Sequence, residues 1–213
     1  EKYNLADLRE KILKAGYESL DMFSNKCFLE STSKFKDEEK LKPVLNAKEV
    51  LSKMIESGVN VVVASNSKTE KIEYLFAKLG HIPDNRNSTD KGRLYARGNS
   101  MKFVIENDYT KVPRYIRVDK NYKAALRRKF YHKVLLDVQP DFVLGDVFSL
   151  DLALPLYLRL HDINFQKLKV IQKLHKHTPD WVKRFLSREE FKGIAFMIED
   201  ISELPELIVN TKF

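Results

Sequence analysis

Short apolar runs alternate with amphipathic stretches along most of this chain, and this alternation constrains the fold more than any other feature. The runs VVVA (61–64) and FVLG (142–145) contain no polar residue, which is typical of strands covered on both faces. KVIQKL (169–174) and GIAFMIE (193–199) are two further predicted strands. Helical spacing of apolar residues marks the segments between them. This order predicts an α/β fold, a Rossmann-like parallel sheet with helices on both faces.

The beginning of the chain differs from the rest. It is polar and charged, and Leu5 and Ile12 lie on one predicted helical stripe. The stretch STSKFKDEEK (31–40) is predicted to be a surface turn or linker. Because strands and helices alternate only after this stretch, the sequence predicts a helical segment over 1–40 and an α/β domain over 41–213.

Composition narrows the possible partners. Hydrophobic residues make up 43% of the 213 residues, enough for a buried core. No apolar run approaches the roughly 18 residues of a membrane helix. The single Cys27 excludes an internal disulfide and indicates a reducing, cytoplasmic compartment.

The net charge of +8 favours an anionic partner, either a small phosphorylated molecule or nucleic acid. Ten cationic residues against three acids between 101 and 135 form either a solvated helix face or a binding surface.

Polar side chains follow two of the predicted strands. Ser65 and Asn66 come directly after the first strand, where a hydroxyl and backbone N–H groups would suit a phosphate. Asp146 follows the strand FVLG, and Asp151 comes five residues later. Two carboxylates beside a helix start suit a hard cation such as Mg²⁺. Ligands bind at the carboxyl ends of parallel strands, so the joint pattern predicts a phosphate and metal site.

These residues, in this order, resemble the motifs of the haloacid-dehalogenase-like (HAD) superfamily over roughly residues 41–209. LKPVLNAKEVLSKMIESGVNVVVASNS is similar to the approach to the second motif, which implies that Ser65 binds the transferred phosphoryl group. FVLGDVFSLD is similar to the fourth motif, GDxxxxD. That similarity implies that Asp146 is a direct Mg²⁺ ligand and that Asp151 acts through water or through the loop.

The resemblance leaves the third motif open between two lysines. This motif is a Lys or Arg that neutralises the nucleophile and the phosphate, and it lies upstream of the helix that leads into the fourth motif. Lys120 in VDKNY and Lys102 in RGNSMKF both meet that description. Either lysine could also be simply solvated, since both lie in a basic segment.

The first motif of the superfamily, DxDx[TV], supplies the nucleophilic Asp, and no segment of the sequence matches it. Either the motif lies upstream of Glu1, or the chain is a degenerate relative without catalysis. The central strand of such a sheet cannot be absent without leaving unpaired backbone groups inside the protein, which favours the first alternative. The non-methionine start agrees with it, and residues 1–40 would then be a cap or cap remnant.

The resemblance therefore implies a Mg²⁺-dependent phosphohydrolase that acts on a small phosphorylated substrate through an aspartyl-phosphate. The competing hypothesis is a non-catalytic HAD-like scaffold, whose basic stretch 101–135 binds nucleic acid or an acidic partner. The sequence indicates neither the substrate nor the oligomeric state.

Overall fold

The structure is a computed structural model that describes residues 5–37, 43–81, 92–120 and 122–211. Contacts within the chain divide it into two compact units, Glu1–Val44 and Leu45–Phe213. Within the described residues, no helix combines the length and the apolar character needed to cross a membrane.

The first unit contains two helices, α1 (Leu5–Lys14) and α2 (Leu20–Asp37). Helix α2 includes most of the stretch 31–40, so the prediction of a turn or linker there is wrong for its first seven residues. The remaining three lie outside the described residues. Ser, Thr and Lys interrupt the apolar pattern of this stretch, but the helix continues through them.

Within its described residues, the second unit combines six α-helices with two small parallel sheets and one antiparallel hairpin. Strand β1 pairs in parallel with β2, and β6 lies between β5 and β7 in a parallel three-stranded sheet. The remaining two strands, β3 and β4, form the hairpin. The strands are β1 (Val61–Ala64), β2 (Leu94–Arg97), β3 (Tyr115–Arg117), β4 (Lys123–Ala125), β5 (Phe142–Gly145), β6 (Lys169–Lys173) and β7 (Ala195–Ile198).

The helices of this unit lie between the strands in the chain, as the sequence predicts for an α/β domain. They are α3 (Ala47–Glu56), α4 (Thr69–Lys78), α5 (Lys129–Val138), α6 (Ala153–His161), α7 (Asp180–Leu186) and α8 (Leu204–Thr211). A π-helical turn, Phe148–Leu152, directly precedes α6. The mixed α/β class with parallel strands is therefore correct.

Two local predictions are wrong. The spacing of YKAALRRKFYHKVLLDV predicts one helix over 122–138, but Lys123–Ala125 is strand β4 and α5 begins at Lys129. Pairing with β3 decides this, because Ala124 is 3% exposed and Leu126 is fully buried beside it. Asn46 is expected to cap α3, but its backbone is left-handed and its side chain makes no cap hydrogen bond.

Successive side chains of β5, β6 and β7 enter two different apolar clusters. Those of Phe142, Ile171 and Phe196 join a cluster with α3 and α8. Those of Val143 and Val170 join a larger cluster with α5, α6 and α7. This alternation is what a strand requires when apolar side chains cover both of its faces.

Helix α3 packs against both parallel sheets. Its residues Val50 and Met54 join the cluster that contains Ile171 of β6, whereas Leu51 and Ile55 join the cluster formed by β1, β2 and α4. Of these four side chains only Val50 is buried, and the other three are half-buried. Helix α3 is therefore shared by the cores of the two sheets.

Strands β1 and β5 each pair with a neighbour on one side within the described residues, and they do not pair with each other. All four residues of β1 are only half-buried, and Leu144 of β5 is 41% exposed. Val170 and Ile171 of the central strand β6, in contrast, are fully buried. The prediction that VVVA and FVLG are covered on both faces therefore holds only in part, because side chains of both strands join apolar clusters but remain partly exposed. Within the described residues, one edge of each strand has no strand partner.

Candidate active site

The loop that follows β1 is hydrogen-bonded to the loop that follows β2. The Ser65 N–H donates to the carbonyl of Arg97 at 3.0 Å, and the Ser100 N–H donates to the carbonyl of Ser65 at 2.9 Å. The Asn99 N–H also donates to the carbonyl of Ser67, two residues after Ser65, at 2.8 Å. Both loops leave the carboxyl ends of parallel strands, so their polar groups gather at one edge of the sheet.

The loop after β2 has a strained backbone. Asn99 and Met101 have φ angles of 52° and 44°, a left-handed conformation that costs non-glycine residues about 1 kcal/mol or more. Gly98 lies against the start of α4, where a Cβ would be 2.2 Å from the backbone nitrogen of Thr69. In this conformation the backbone N–H of Lys102 donates a hydrogen bond to Asn66 Oδ1, and the nitrogen and oxygen are 2.7 Å apart.

Lys102 forms an ion pair with Asp151. Its Nζ lies 2.5 Å from Asp151 Oδ1, and the two side chains are only 15% and 7% exposed. Asp151 Oδ2 also accepts a hydrogen bond from the Val147 N–H at 3.2 Å. A carboxylate at this depth is costly unless a cation and hydrogen bonds compensate it, and here both are present. The carboxylate that the sequence places within an apolar run is thus stabilised by a lysine 49 positions earlier.

The turn between β5 and α6 brings Asp151 back against the end of the strand. Asp151 lies within the π-helical turn, and its Cβ would be 2.3 Å from a Cβ added at Gly145. Only glycine leaves room for this approach. Gly145 at the end of β5 therefore makes room for the Asp151 side chain.

Asp146, the acid that directly follows Gly145, has a different environment. Its side chain is exposed, and no ion pair or hydrogen bond of its carboxylate is found within the described residues. Its backbone carbonyl accepts a hydrogen bond at 2.7 Å from Nε2 of Gln172, which is fully buried. The carboxylate of Asp146 is thus free to bind a ligand, whereas its backbone is fixed by β6.

Two buried residues that sequence reasoning missed support this edge. The Arg128 guanidinium donates to the carbonyls of Lys102 and Ser149, the latter at 3.2 Å. The Tyr131 hydroxyl donates to the Asp151 carbonyl at 2.8 Å. Burial raises the pKa of Tyr131 well above its ordinary value, with a smaller contribution from Asp151, so the hydroxyl keeps its proton. Only the excess of cations in 101–135 could have drawn attention to Arg128.

The structure thus brings together Asn66, Lys102 and Asp151. Ser65 adjoins them, half-buried, and its Oγ accepts a hydrogen bond from the Ser67 N–H at 3.1 Å. Lys120 is exposed in the β3–β4 hairpin and lines a different cleft. No contact between Lys120 and either acid is found within the described residues.

The acids at this edge are oxygen donors, the type that a hard cation prefers, but only one of them is available. Asp146 offers a free carboxylate, and Lys102 already compensates the charge of Asp151, so Asp151 could assist a cation only from outside its first coordination shell. In the described part of the chain, no group of three or more His, Cys, Asp or Glu side chains is arranged to hold a metal. A cation here would need further oxygen ligands, from water or from a phosphate.

Comparison with known proteins adds no relative: no family model, curated protein or solved structure matches the chain.

Proposed function

We propose that this chain belongs to a HAD-like phosphohydrolase. The ion pair between Lys102 and Asp151, beside the loop of Ser65 and Asn66, is the observation that carries this proposal. It joins a residue after β2 to an acid after β5, across the two sheets. The contact lies beside the loop of Ser65, at the carboxyl ends of parallel strands, where α/β enzymes bind their ligands.

The uncovered edges of β1 and β5 support a strand from outside these 213 residues. Within the described residues, each edge leaves backbone N–H and C=O groups without a strand partner, and such groups favour the addition of a strand. A parallel strand inserted there would join the two sheets in the order β7-β6-β5-new strand-β1-β2. The whole would then be a Rossmann-like sheet with helices on both faces, and the first unit would be a cap or cap remnant.

The inserted strand would carry the nucleophilic carboxylate at its end. That carboxylate would attack phosphorus, the bond to the leaving oxygen would break, and water would then hydrolyse the aspartyl-phosphate. Ser65 and the side-chain amide of Asn66 would bind phosphoryl oxygens by hydrogen bonds. Lys102, rather than Lys120, would balance the negative charge, because Lys102 contacts Asp151, whereas no contact of Lys120 with either acid is found within the described residues.

Asp146 would be the direct ligand of Mg²⁺, which would neutralise phosphoryl oxygens when bound. Asp151 would keep Lys102 in place through the ion pair. Gln172 would fix the backbone of Asp146 through its carbonyl hydrogen bond.

The test is phosphate release by the protein expressed from its complete reading frame, with a small phosphate monoester and Mg²⁺. Asp146→Asn changes an exposed side chain and should leave folding intact, yet lower the rate by about 100-fold or more, the typical cost of losing one charge-stabilising group. Lys120→Met is a control that removes an exposed lysine away from the candidate site, and it should retain activity. Absence of hydrolysis, or an unaffected rate in Asp146→Asn, would refute the proposal and leave a non-catalytic scaffold.

A further inference from the structure

A basic cleft lies between the β3–β4 hairpin and helix α7. Its volume is about 490 Å³, within the usual range for a site that holds a small ligand. Four cations and one acid are among its lining residues, which are Arg117, Val118, Asp119, Lys120, Trp181, Arg184, Phe185 and Arg188. The lining therefore has an excess of three positive charges, and none of the proposed active-site residues Ser65, Asn66, Lys102, Asp146 and Asp151 belongs to it.

The cations of the cleft differ in how far they are already engaged. Arg188 Nη2 donates to the Val118 carbonyl at 2.7 Å, and the guanidinium lies 4.7 Å from the centroid of the Phe185 ring. Arg188 is therefore held in position across the cleft. For the side chains of Arg117, Lys120 and Arg184, in contrast, no ion pair or hydrogen bond is found within the described residues. Three exposed charges without a protein partner favour an anion that contacts several of them.

Aromatic rings border the same cleft. Trp181 lines it and stacks on Tyr122 with the ring centroids 5.2 Å apart and the planes 17° from parallel. Tyr122 is 47% exposed. A nucleic-acid base could extend the stack on the outer face of Tyr122, and such stacking contributes about 1–3 kcal/mol per base.

We propose that this cleft binds single-stranded nucleic acid, with the phosphates on Arg117, Lys120 and Arg184 and a base on Tyr122. Cations in a groove beside exposed aromatic rings are the combination that single-strand binding uses. An acidic polypeptide would satisfy the charges but would leave the rings unused. The ten cations of 101–135 do not share one helix face, because most of them precede α5, which begins at Lys129, and because Arg128 is buried. The binding surface therefore combines part of that stretch with Arg184 and Arg188 of α7 and the turn after it.

Trp181 is the single tryptophan of the chain, so its fluorescence reports on this cleft alone. The probe is a 12-nucleotide oligothymidylate or oligouridylate, titrated at several salt concentrations. We expect quenching whose affinity falls with salt, with a slope of about −0.7 for each phosphate contacted. Arg184→Ala should lower the slope by about 0.7 and weaken binding about eightfold at about 50 mM salt.

Lys183→Ala is the matched control, because it removes the same charge from the neighbouring position of α7 but lies outside the cleft lining. It should bind the oligonucleotide almost as tightly as the unchanged protein. Circular dichroism confirms that both variants fold.

Three results would overturn the proposal: no quenching at low salt, equal effects of Arg184→Ala and Lys183→Ala, or tighter binding of polyglutamate or inorganic phosphate than of the oligonucleotide. The assay needs no phosphatase activity, so its failure is distinct from failure of the proposed function.

Discussion

Replacing Lys102 by methionine tests the ion pair at the candidate site. The variant would leave the carboxylate of Asp151, which is 7% exposed, without its cation. Removing one partner of a buried ion pair typically costs 3–5 kcal/mol. The lower end, about 3 kcal/mol, applies here, because Asp151 keeps the hydrogen bond from the Val147 N–H and because Lys102 is itself 15% exposed.

Urea unfolding, monitored by Trp181, measures this loss in the second unit, where the single tryptophan lies. With the usual slopes for proteins of this size, about 3 kcal/mol corresponds to a midpoint lower by on the order of 1–2 M urea. Lys120→Met makes the same chemical change at an exposed position and should shift the free energy of unfolding by no more than about 0.5 kcal/mol.

A double-mutant cycle separates the ion pair from the loss of packing around the lysine. Asp151→Asn keeps an oxygen acceptor for the Val147 N–H but removes the negative charge. The double variant Lys102→Met with Asp151→Asn should therefore recover much of the stability that Lys102→Met loses, since no unpaired carboxylate remains. If the two losses simply add, or if Lys102→Met is as stable as Lys120→Met, the side chains do not interact as described.

Two further predictions concern the same unit. Gly145→Ala should lower the free energy of unfolding by about 1–3 kcal/mol, because its Cβ would be 2.3 Å from that of Asp151; an unchanged urea midpoint would contradict the close approach. Burial lowers the pKa of His132, and its Nε2 is buried without a hydrogen-bond partner in the described residues. The neutral His132 therefore contributes fully to stability above its unfolded pKa of about 6.5, and this contribution is lost as pH falls from there through the folded pKa. The melting temperature should fall between pH 7.5 and 5, and it should fall less in His132→Phe.

The strands of the second unit were largely predictable from the sequence. VVVA, FVLG, KVIQKL and GIAFMIE each contain one of the four strands β1, β5, β6 and β7. Short apolar runs between helices carry this information locally, so it needs no knowledge of the rest of the chain. The hairpin was missed because KAALRRKF has helical spacing, and only pairing with β3 makes Lys123–Ala125 a strand.

The acids and the serine of the site were also accessible, because they directly follow predicted strands. The sequence left Lys102 and Lys120 as equal candidates, and the contact of Lys102 with Asp151 depends on a loop with two left-handed residues, Asn99 and Met101. Asn tolerates that conformation better than most residues, but Met carries no signal for it. Arg128 could not be identified either, since burial of one cation among ten follows only from the tertiary packing.

Residue type does not locate the starts of two helices for a related reason. Ser67 and Thr178 favour helix starts by residue type, but α4 begins at Thr69 and α7 at Asp180. The hydroxyl of Thr178 instead accepts a hydrogen bond from the His175 N–H at 2.9 Å. Contacts within the preceding loop, such as this one, are not visible in the helical spacing of the sequence.

The most direct test of the proposed function is the structure of the protein from its complete reading frame, determined with Mg²⁺ and a phosphate analogue. We predict a strand between β1 and β5, so that Ser65 and Asp146 lie about 10 Å apart across it, since neighbouring strands are separated by about 4.8 Å. An aspartate at its end should contact Lys102. Direct pairing of β1 with β5, or an edge that stays uncovered, would contradict the account.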